Sequence, residues 1–134
     1  MAALHNRTES KILIIDDNPD VLSAMSLFLE IKGFSVRTAS DGMEGLVRMK
    51  AEGHLTLVLL DLWMPVMNGW EFLRLKTDDP CIAEIPVIVI SAVSPDSIGG
   101  AQAVLRKPVH PEKLMDAVRR YALKPYRDLP PVSE

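Results

Sequence analysis

The chain has 134 residues, of which 48% are hydrophobic and 25% are charged, a composition typical of one folded domain and too apolar for a disordered protein. Its formal net charge is −3 with Lys and Arg scattered singly, so we expect no direct contact with nucleic acid.

The N-terminus lacks the apolar segment of a signal peptide, and no apolar run is long enough to cross a bilayer. The single cysteine, Cys81, has no cysteine partner, which favours an inert loop thiol in a reducing cytoplasm. We therefore expect a cytoplasmic protein without membrane insertion.

The first strand and helix have clear boundaries in the sequence. The β-branched run Lys11–Ile15 predicts a strand buried on both faces, and it ends at the acidic pair Asp16 and Asp17. The sequence Asn18-Pro19-Asp20 then supplies an N-cap, a proline at the first helical position and an acid in the first turn, and Gly33 is placed to end this helix. Two carboxylates therefore stand between the first strand and the first helix.

The same alternation of strand and helix continues along the chain. We predict further strands at residues 34–38, 55–60, 86–90 and 103–106, and further helices at residues 41–50, 70–76 and 111–123. Residues 94–102 contain Pro95, Gly99 and Gly100, which favours a loop, or at most one helical turn, in place of a fourth helix. We predict an N-terminal tail at residues 1–10, one domain at 11–124 and an extended or disordered tail at 125–134. The initial Met and the polar C-terminus favour a stand-alone protein.

Polar residues follow four of the five predicted strands. Asp16 and Asp17 follow the first strand, Asp61 the third, Ser91 the fourth and Lys107 the fifth. Strands that alternate with helices form a parallel sheet with helices on both faces, and its ligands bind beyond the carboxyl ends of the strands. Clustered carboxylates repel one another, and Mg²⁺ would relieve this repulsion because it prefers a few carboxylate oxygens and retained waters. The lysine and the serine would then supply a positive charge and a hydroxyl donor for a phosphoryl group.

Four motifs between residues 11 and 123 follow the pattern of one signalling family. They are Ile15-Asp16-Asp17, the stretch Asp61-Leu-Trp-Met-Pro-Val-Met-Asn-Gly69, Ser91-Ala92 and Lys107-Pro108. With these motifs the chain resembles the response regulator receiver domains of two-component signalling, including the chemotaxis regulators. The resemblance implies an α/β, flavodoxin-like, doubly wound fold with helices on both faces of a five-stranded parallel sheet of strand order 2-1-3-4-5. In this chain the fourth helix would be reduced or replaced by a loop.

The resemblance also implies a role for each site residue. Asp61 would be the phosphoacceptor, and its donor would be the phosphohistidine of a sensor histidine kinase or of a histidine phosphotransfer protein. Lys107 and Ser91 would contact the phosphoryl group, and the Lys107–Pro108 peptide bond would be cis. Mg²⁺ would be the cofactor, with Asp17 and Asp61 as direct ligands. The remaining metal contacts would come from Asp16 through water and from the backbone carbonyl of Trp63.

A protein of this kind is a switch rather than an enzyme. It would promote its own phosphorylation and dephosphorylation, change conformation and act on a downstream protein that the sequence does not identify. Family members usually carry Tyr or Phe three residues before the lysine, where this chain has Val104. Together with the short segment at residues 94–102, this substitution predicts an altered output surface.

Three other functions fit the sequence less well. A phosphatase with an aspartyl-phosphate intermediate typically has a second acid two residues after the nucleophile, where this chain has Trp63. A nucleotide or flavin binder would need a Gly-rich or hydroxyl-rich loop after the first strand, and the acidic pair there would repel phosphate. The alternative that we keep is a phosphorylation-independent, receiver-like protein interaction module, although the chain retains all the site residues.

Overall fold

A computed structural model describes residues 10–53, 55–93 and 95–122 of the chain. Within these residues the strands are β1 (Lys11–Ile15), β2 (Ser35–Ala39), β3 (Leu55–Leu60), β4 (Val87–Ser91) and β5 (Ala103–Arg106). The helices are α1 (Pro19–Ile31), α2 (Gly42–Ala51), α3 (Gly69–Thr77) and α4 (Pro111–Ala122). The predicted tail at 125–134, and the predicted tail at 1–10 apart from Ser10, lie outside the described residues. None of the helices in the described ranges has the length and apolar character that a bilayer crossing requires.

The five strands form one parallel sheet in the order β2-β1-β3-β4-β5, which confirms the predicted α/β, flavodoxin-like architecture. Its register determines which residues meet at the carboxyl edge. Ile15 at the end of β1 pairs with Leu60 at the end of β3, so the residues that follow them, Asp16 and Asp61, emerge side by side. At the other side of the sheet, Ser91 at the end of β4 pairs with Arg106, the residue before Lys107.

The sheet is buried on both faces, which explains the continuous apolar runs in its central strands. Alternate side chains of β1 and β3 point to opposite faces, where two separate hydrophobic clusters form. One cluster contains Ile15 and Leu60 with residues of α2 and α3, and the other contains Ile14 and Leu59 with residues of α1 and α4. The central strands are therefore packed on both faces, and the polar residues at their ends extend from this core.

Helix α1 begins and ends as the sequence predicts. The Asn18 side chain accepts hydrogen bonds from the backbone N–H groups of Asp20 and Val21, and Gly33 adopts a φ of 101°. The N–H of Phe34 donates to the carbonyl of Leu29 at 3.1 Å, so Phe34 belongs to the end of the helix. Strand β2 consequently begins at Ser35, one residue later than predicted.

The described residues of the connection between β4 and β5 contain no helix, which fits the prediction that the fourth helix is reduced or replaced by a loop. In its described residues, 92–93 and 95–102, the chain forms turns and bends, while Ile98 and Ala101 pack against the cluster that includes α3 residues. Gln102 closes the connection, because its backbone N–H donates to the Val87 carbonyl and its side-chain oxygen accepts from the Val87 N–H. Strand β4 starts at Val87 rather than at Pro86, which has no N–H to donate.

Candidate functional site

Three carboxylates meet at the carboxyl edge of the sheet. Asp16 and Asp61 are buried, with 4% and 7% of their surfaces exposed, whereas Asp17 is exposed. One oxygen of each carboxylate lies within 4.8 Å of the others. The structure thus brings together the three acids that the sequence singles out, and the register of β1 with β3 is the reason.

Both oxygens of Asp16 have partners. Its Oδ1 accepts from the Asn18 N–H at 2.9 Å, and its Oδ2 accepts from Lys107 Nζ at 3.0 Å. The hydrogen bond to the Asn18 N–H makes Asp16 part of the turn into α1, and the ion pair ties β1 to the segment after β5. Asp16 is therefore a fixed carboxylate whose charge is neutralised within the protein.

The negative charge of Asp61 is less well compensated than that of Asp16. Its carboxylate lies 3.9 Å from Lys107 Nζ, farther than the Asp16 carboxylate does. Burial raises the pKa of Asp61, and the neighbouring Asp16 raises it further, while Lys107 and the backbone N–H groups of Trp63 and Leu62 oppose the shift. A further positive charge at the site would therefore stabilise ionised Asp61.

The donor set at this edge fits a hard divalent cation. Three carboxylates and the single ammonium group of Lys107 leave a net charge of −3 + 1 = −2 among these groups. Carboxylate oxygens, supplemented by a backbone carbonyl and water, are the ligands that Mg²⁺ prefers. The exposure of Asp17 leaves room for retained waters on the solvent side.

Ser91 and Lys107 are held to one another by the β4–β5 pairing. The Lys107 N–H donates to the Ser91 carbonyl at 3.1 Å, and the Lys107–Pro108 peptide bond is cis, as the resemblance implies. The Ser91 hydroxyl is completely buried and donates to the Val93 carbonyl at 3.2 Å. In this structure the hydroxyl therefore has a backbone partner within its own loop.

The loop after β3 is shaped by the residues of the phosphoacceptor motif. Met64 and Met67 are buried in the hydrophobic cluster beneath it. A Cβ atom on Gly69 would lie 2.7 Å from the Asp61 carbonyl oxygen and 2.8 Å from the Leu62 Cα, so only glycine permits this close approach of α3. The motif thus fixes the backbone that carries Asp61, in addition to supplying the carboxylate itself.

The side chain of Trp63 makes a contact that the sequence did not predict. Its indole N–H donates to the Val93 carbonyl at 3.1 Å, although 58% of the residue is exposed. Its ring also packs edge-to-face against Trp70, with 4.8 Å between the ring centroids. Sequence reasoning assigned only the backbone carbonyl of Trp63 to the site, because a contact between two loops leaves no spacing signal.

Comparison with known proteins identifies the family. The sequence model of the response regulator receiver domain matches residues 12–119. The chain belongs to this family. It is therefore a receiver domain of two-component signal transduction, a system in which response regulators receive phosphoryl groups from histidine kinases.

Relatives of this receiver domain differ in length. It is 33% identical over 116 residues to the transcriptional regulatory protein CpxR homolog of Haemophilus influenzae, covering 82% of this chain and 49% of that protein. It is 31% identical over 115 residues to protein PilH of Pseudomonas aeruginosa, covering 81% of this chain and 94% of that protein. The chain therefore spans about half the length of the transcriptional regulator and nearly all of PilH.

Solved structures give the same fold. A CheY-like receiver domain protein from Methanospirillum hungatei superimposes with a TM-score of 0.80 at 26% identity, covering 90% of this chain and 99% of that one. The chemotaxis response regulator CheY4 of Vibrio cholerae superimposes with a TM-score of 0.76 at 27% identity, covering 84% of this chain and 98% of that one. The receiver domain is thus similar to chemotaxis regulators over nearly their whole length.

Proposed function

We propose that this receiver domain accepts a phosphoryl group on Asp61 from the phosphohistidine of a sensor histidine kinase or a histidine phosphotransfer protein, in a Mg²⁺-dependent reaction. One observation carries the proposal. The Asp61 carboxylate is buried at the carboxyl edge of the sheet, with oxygens of Asp16 and Asp17 within 4.8 Å and the Lys107 ammonium group 3.9 Å away. This arrangement supplies a nucleophile, the ligands for a cation and a second positive charge.

In the proposed reaction an Asp61 oxygen attacks the phosphorus of the phosphohistidine. An O–P bond forms on Asp61, the N–P bond to the imidazole breaks, and the leaving imidazole nitrogen keeps the electron pair and takes up a proton from solvent. Because burial raises the pKa of Asp61, the attacking carboxylate needs nearby positive charge to stay ionised. When bound, Mg²⁺ would supply that charge and neutralise oxygens of the transferring phosphoryl group.

The contacts of the acids suggest how they would share the metal. Asp17 and Asp61 would hold Mg²⁺ directly, together with the backbone carbonyl of Trp63. Both oxygens of Asp16 already have partners, the Asn18 N–H and Lys107 Nζ. This supports a role for Asp16 through a bridging water rather than as a direct ligand.

Lys107 and Ser91 would change partners when the phosphoryl group arrives. The Lys107 ammonium group, now 3.0 Å from Asp16, would move to a phosphoryl oxygen on Asp61. The Ser91 hydroxyl would leave the Val93 carbonyl, to which it donates at 3.2 Å, and donate to the same group. These exchanges convert a local change of charge into a movement of the backbone after β4, which is the output of the switch.

The wider role of the chain is proposed in the same terms. The receiver domain would comprise residues 11–124, would lie in the cytoplasm and would signal to a downstream protein. It would promote its own phosphorylation and dephosphorylation and turn over no separate metabolite. Some relatives are DNA-binding regulators of which this chain spans about half the length, and we assign no nucleic-acid contact to the receiver domain itself.

Phosphotransfer from purified histidine kinases tests this function. Radiolabelled kinases of the source organism would be incubated with the wild-type chain and with the Asp61→Asn variant in the presence of Mg²⁺. We expect at least one kinase to label the wild type rapidly and the variant not at all. If neither a kinase nor acetyl phosphate labels the wild type, the chain is instead a phosphorylation-independent interaction module.

A further inference from the structure

The residues of the site belong to two halves of the sheet edge. The ladder between β3 and β4 ends where Leu60 pairs with Val89, and both Asp61 and Ser91 lie beyond that point. Asp61 is held toward β1, because its N–H donates to the Ile15 carbonyl at 2.9 Å. Ser91 is held toward β5, because its carbonyl accepts from the Lys107 N–H at 3.1 Å. The distance between the phosphoacceptor and the serine therefore depends on contacts other than the β3–β4 ladder.

The hydrogen bond from Trp63 to Val93 spans this gap. Trp63 stands two residues after Asp61, and Val93 stands two residues after Ser91. The indole N–H donates to the Val93 carbonyl at 3.1 Å, so this hydrogen bond joins the loop after β3 to the loop after β4. Lys107 also spans the gap through its ion pair with Asp16, but under the proposed function it leaves that partner for the phosphoryl group.

The Val93 carbonyl has a second donor. It accepts from the Ser91 hydroxyl at 3.2 Å as well as from the Trp63 indole N–H at 3.1 Å. A carbonyl oxygen has two lone pairs, so these two donors fill its accepting capacity. When the Ser91 hydroxyl turns away, the Trp63 hydrogen bond can remain and keep Val93 tied to the loop after β3. The carbonyl also keeps one partner, which reduces the cost of the hydroxyl's departure.

We propose that Trp63 is a positioning residue for phosphoryl transfer: through the Val93 carbonyl it holds Ser91 where its hydroxyl can reach the phosphoryl group on Asp61. This proposal rests on the proposed function. The Trp63 ring, in a residue with 58% of its surface exposed, also packs edge-to-face against Trp70, an aromatic contact that Phe at position 70 would retain. Under the proposed function the backbone carbonyl of Trp63 would hold the metal independently of the indole, so the two contributions of this residue are separable.

The kinetic test compares Trp63→Phe with Trp70→Phe as its matched control. Both variants lose one indole and keep an aromatic ring, but only the first loses the hydrogen bond to Val93. With acetyl phosphate as donor, the maximal rate of phosphorylation should fall roughly 2- to 10-fold in Trp63→Phe, the effect of one neutral hydrogen bond. The KM for acetyl phosphate and the Kd for Mg²⁺ should not change, because the backbone carbonyl remains. Trp70→Phe should keep the wild-type rate.

The same substitution in a Ser91→Ala background shows whether Trp63 acts through Ser91. We expect Trp63→Phe to cause no further loss there, because the hydroxyl that it positions is gone. A loss by the same factor in both backgrounds would overturn the proposal and indicate a general effect on the loop. An unchanged rate for Trp63→Phe in the wild-type background would overturn it too.

A spectroscopic test needs no phosphorylation. The chain has two tryptophans, so an NMR spectrum has two indole N–H resonances, which Trp70→Phe assigns. Ser91→Ala removes the competing donor and should shift the Trp63 indole proton downfield while leaving that of Trp70 unchanged. Equal or absent shifts would overturn the shared-acceptor geometry.

Failure of the proposed function can be told apart from failure of this geometry. If acetyl phosphate does not label the wild type, the proposed function fails and the role of Trp63 in transfer fails with it. The indole shift still decides whether the hydrogen bond exists.

Discussion

The ammonium group of Lys107 lies 3.0 Å from the carboxylate of Asp16, a residue with 4% of its surface exposed. In this structure the lysine thus neutralises a buried acid rather than standing free to meet a phosphoryl group. A cation bound beside Asp16 would take over part of this neutralisation and make the lysine available. Metal binding should therefore be coupled to the release of Lys107 from its ion pair with Asp16.

Replacement of Lys107 should have opposite effects on metal binding and on phosphorylation. In Lys107→Met the Mg²⁺ affinity should rise, because a competing positive charge has been removed from the site. The rate of phosphorylation by acetyl phosphate should fall by roughly 100-fold, the effect that loss of one oxyanion donor has in enzymes. Calorimetry and a labelling time course measure the two effects. The exposed Lys113 on α4 provides the control variant Lys113→Met, and parallel losses of affinity and rate in Lys107→Met would contradict the coupling.

The metal site itself is tested by Asp17→Ala. Mg²⁺ is small and retains its waters unless charged ligands replace them, so loss of a direct carboxylate should weaken its binding by at least 10-fold. Titration calorimetry measures the affinity, and the fluorescence of Trp63, two residues from Asp61, provides a second readout. Asp20→Ala removes an exposed acid three residues away and serves as the control. Equal affinities for wild type and Asp17→Ala would show that the metal binds elsewhere.

The pH dependence of stability reports on Asp61. Burial raises the pKa of Asp61 above its ordinary value of 3.8. At a pH between the ordinary pKa and the raised pKa, the native state binds more protons than the unfolded state. The free energy of unfolding should therefore fall as the pH rises from the ordinary pKa through the raised pKa. Asp61→Asn should lose this dependence and be more stable than the wild type at neutral pH. Urea unfolding in a chelator at mildly acidic and at neutral pH measures both effects, with Asp116→Asn as an exposed control. A destabilised Asp61→Asn protein at neutral pH would contradict this account.

Much of the site was predictable because local patterns mark where each strand ends, and the family resemblance supplies the strand order. Apolar runs ending in Asp16, Asp61 and Ser91 identify the carboxyl edge, and the parallel arrangement brings these ends together. The observed strand boundaries differ from the predicted ones by about one residue. For example, β2 begins after Phe34, because the Phe34 N–H donates to the Leu29 carbonyl at the end of α1. Local sequence thus locates the strand ends to within about one residue, and the resemblance indicates which of them are neighbours.

The partners within the site were not predictable. Nothing in the spacing of Lys107 distinguishes a contact with Asp61 from the shorter one that it makes with Asp16. The hydrogen bond from Trp63 to Val93 depends on how two loops pack after their strands have ended. Such contacts are decided by tertiary geometry at the scale of one ångström, and residue type alone does not carry that information.

The connection between β4 and β5 should be the segment that responds to phosphorylation. Val104 is half-buried and packs against the core cluster, and its stiff, small side chain stores little energy difference between two states. The signal should therefore pass from Ser91 into the loop rather than through a ring at position 104. Hydrogen exchange with and without beryllofluoride and Mg²⁺ measures this, and protection should change most between residues 91 and 102. The Asp61→Asn variant is the control, and a larger change in α4 than in this loop would show that the signal leaves by another route.

Identification of the phosphorylated residue tests the central claim most directly. The chain would be incubated with acetyl phosphate and Mg²⁺, and the labelled peptide sequenced by mass spectrometry after reductive trapping of the aspartyl phosphate. We predict one label, on Asp61, that disappears in Asp61→Asn and falls to background in excess EDTA. Undiminished labelling of Asp61→Asn, or full labelling of the wild type without Mg²⁺, would contradict the assignment of Asp61 as the metal-dependent phosphoacceptor.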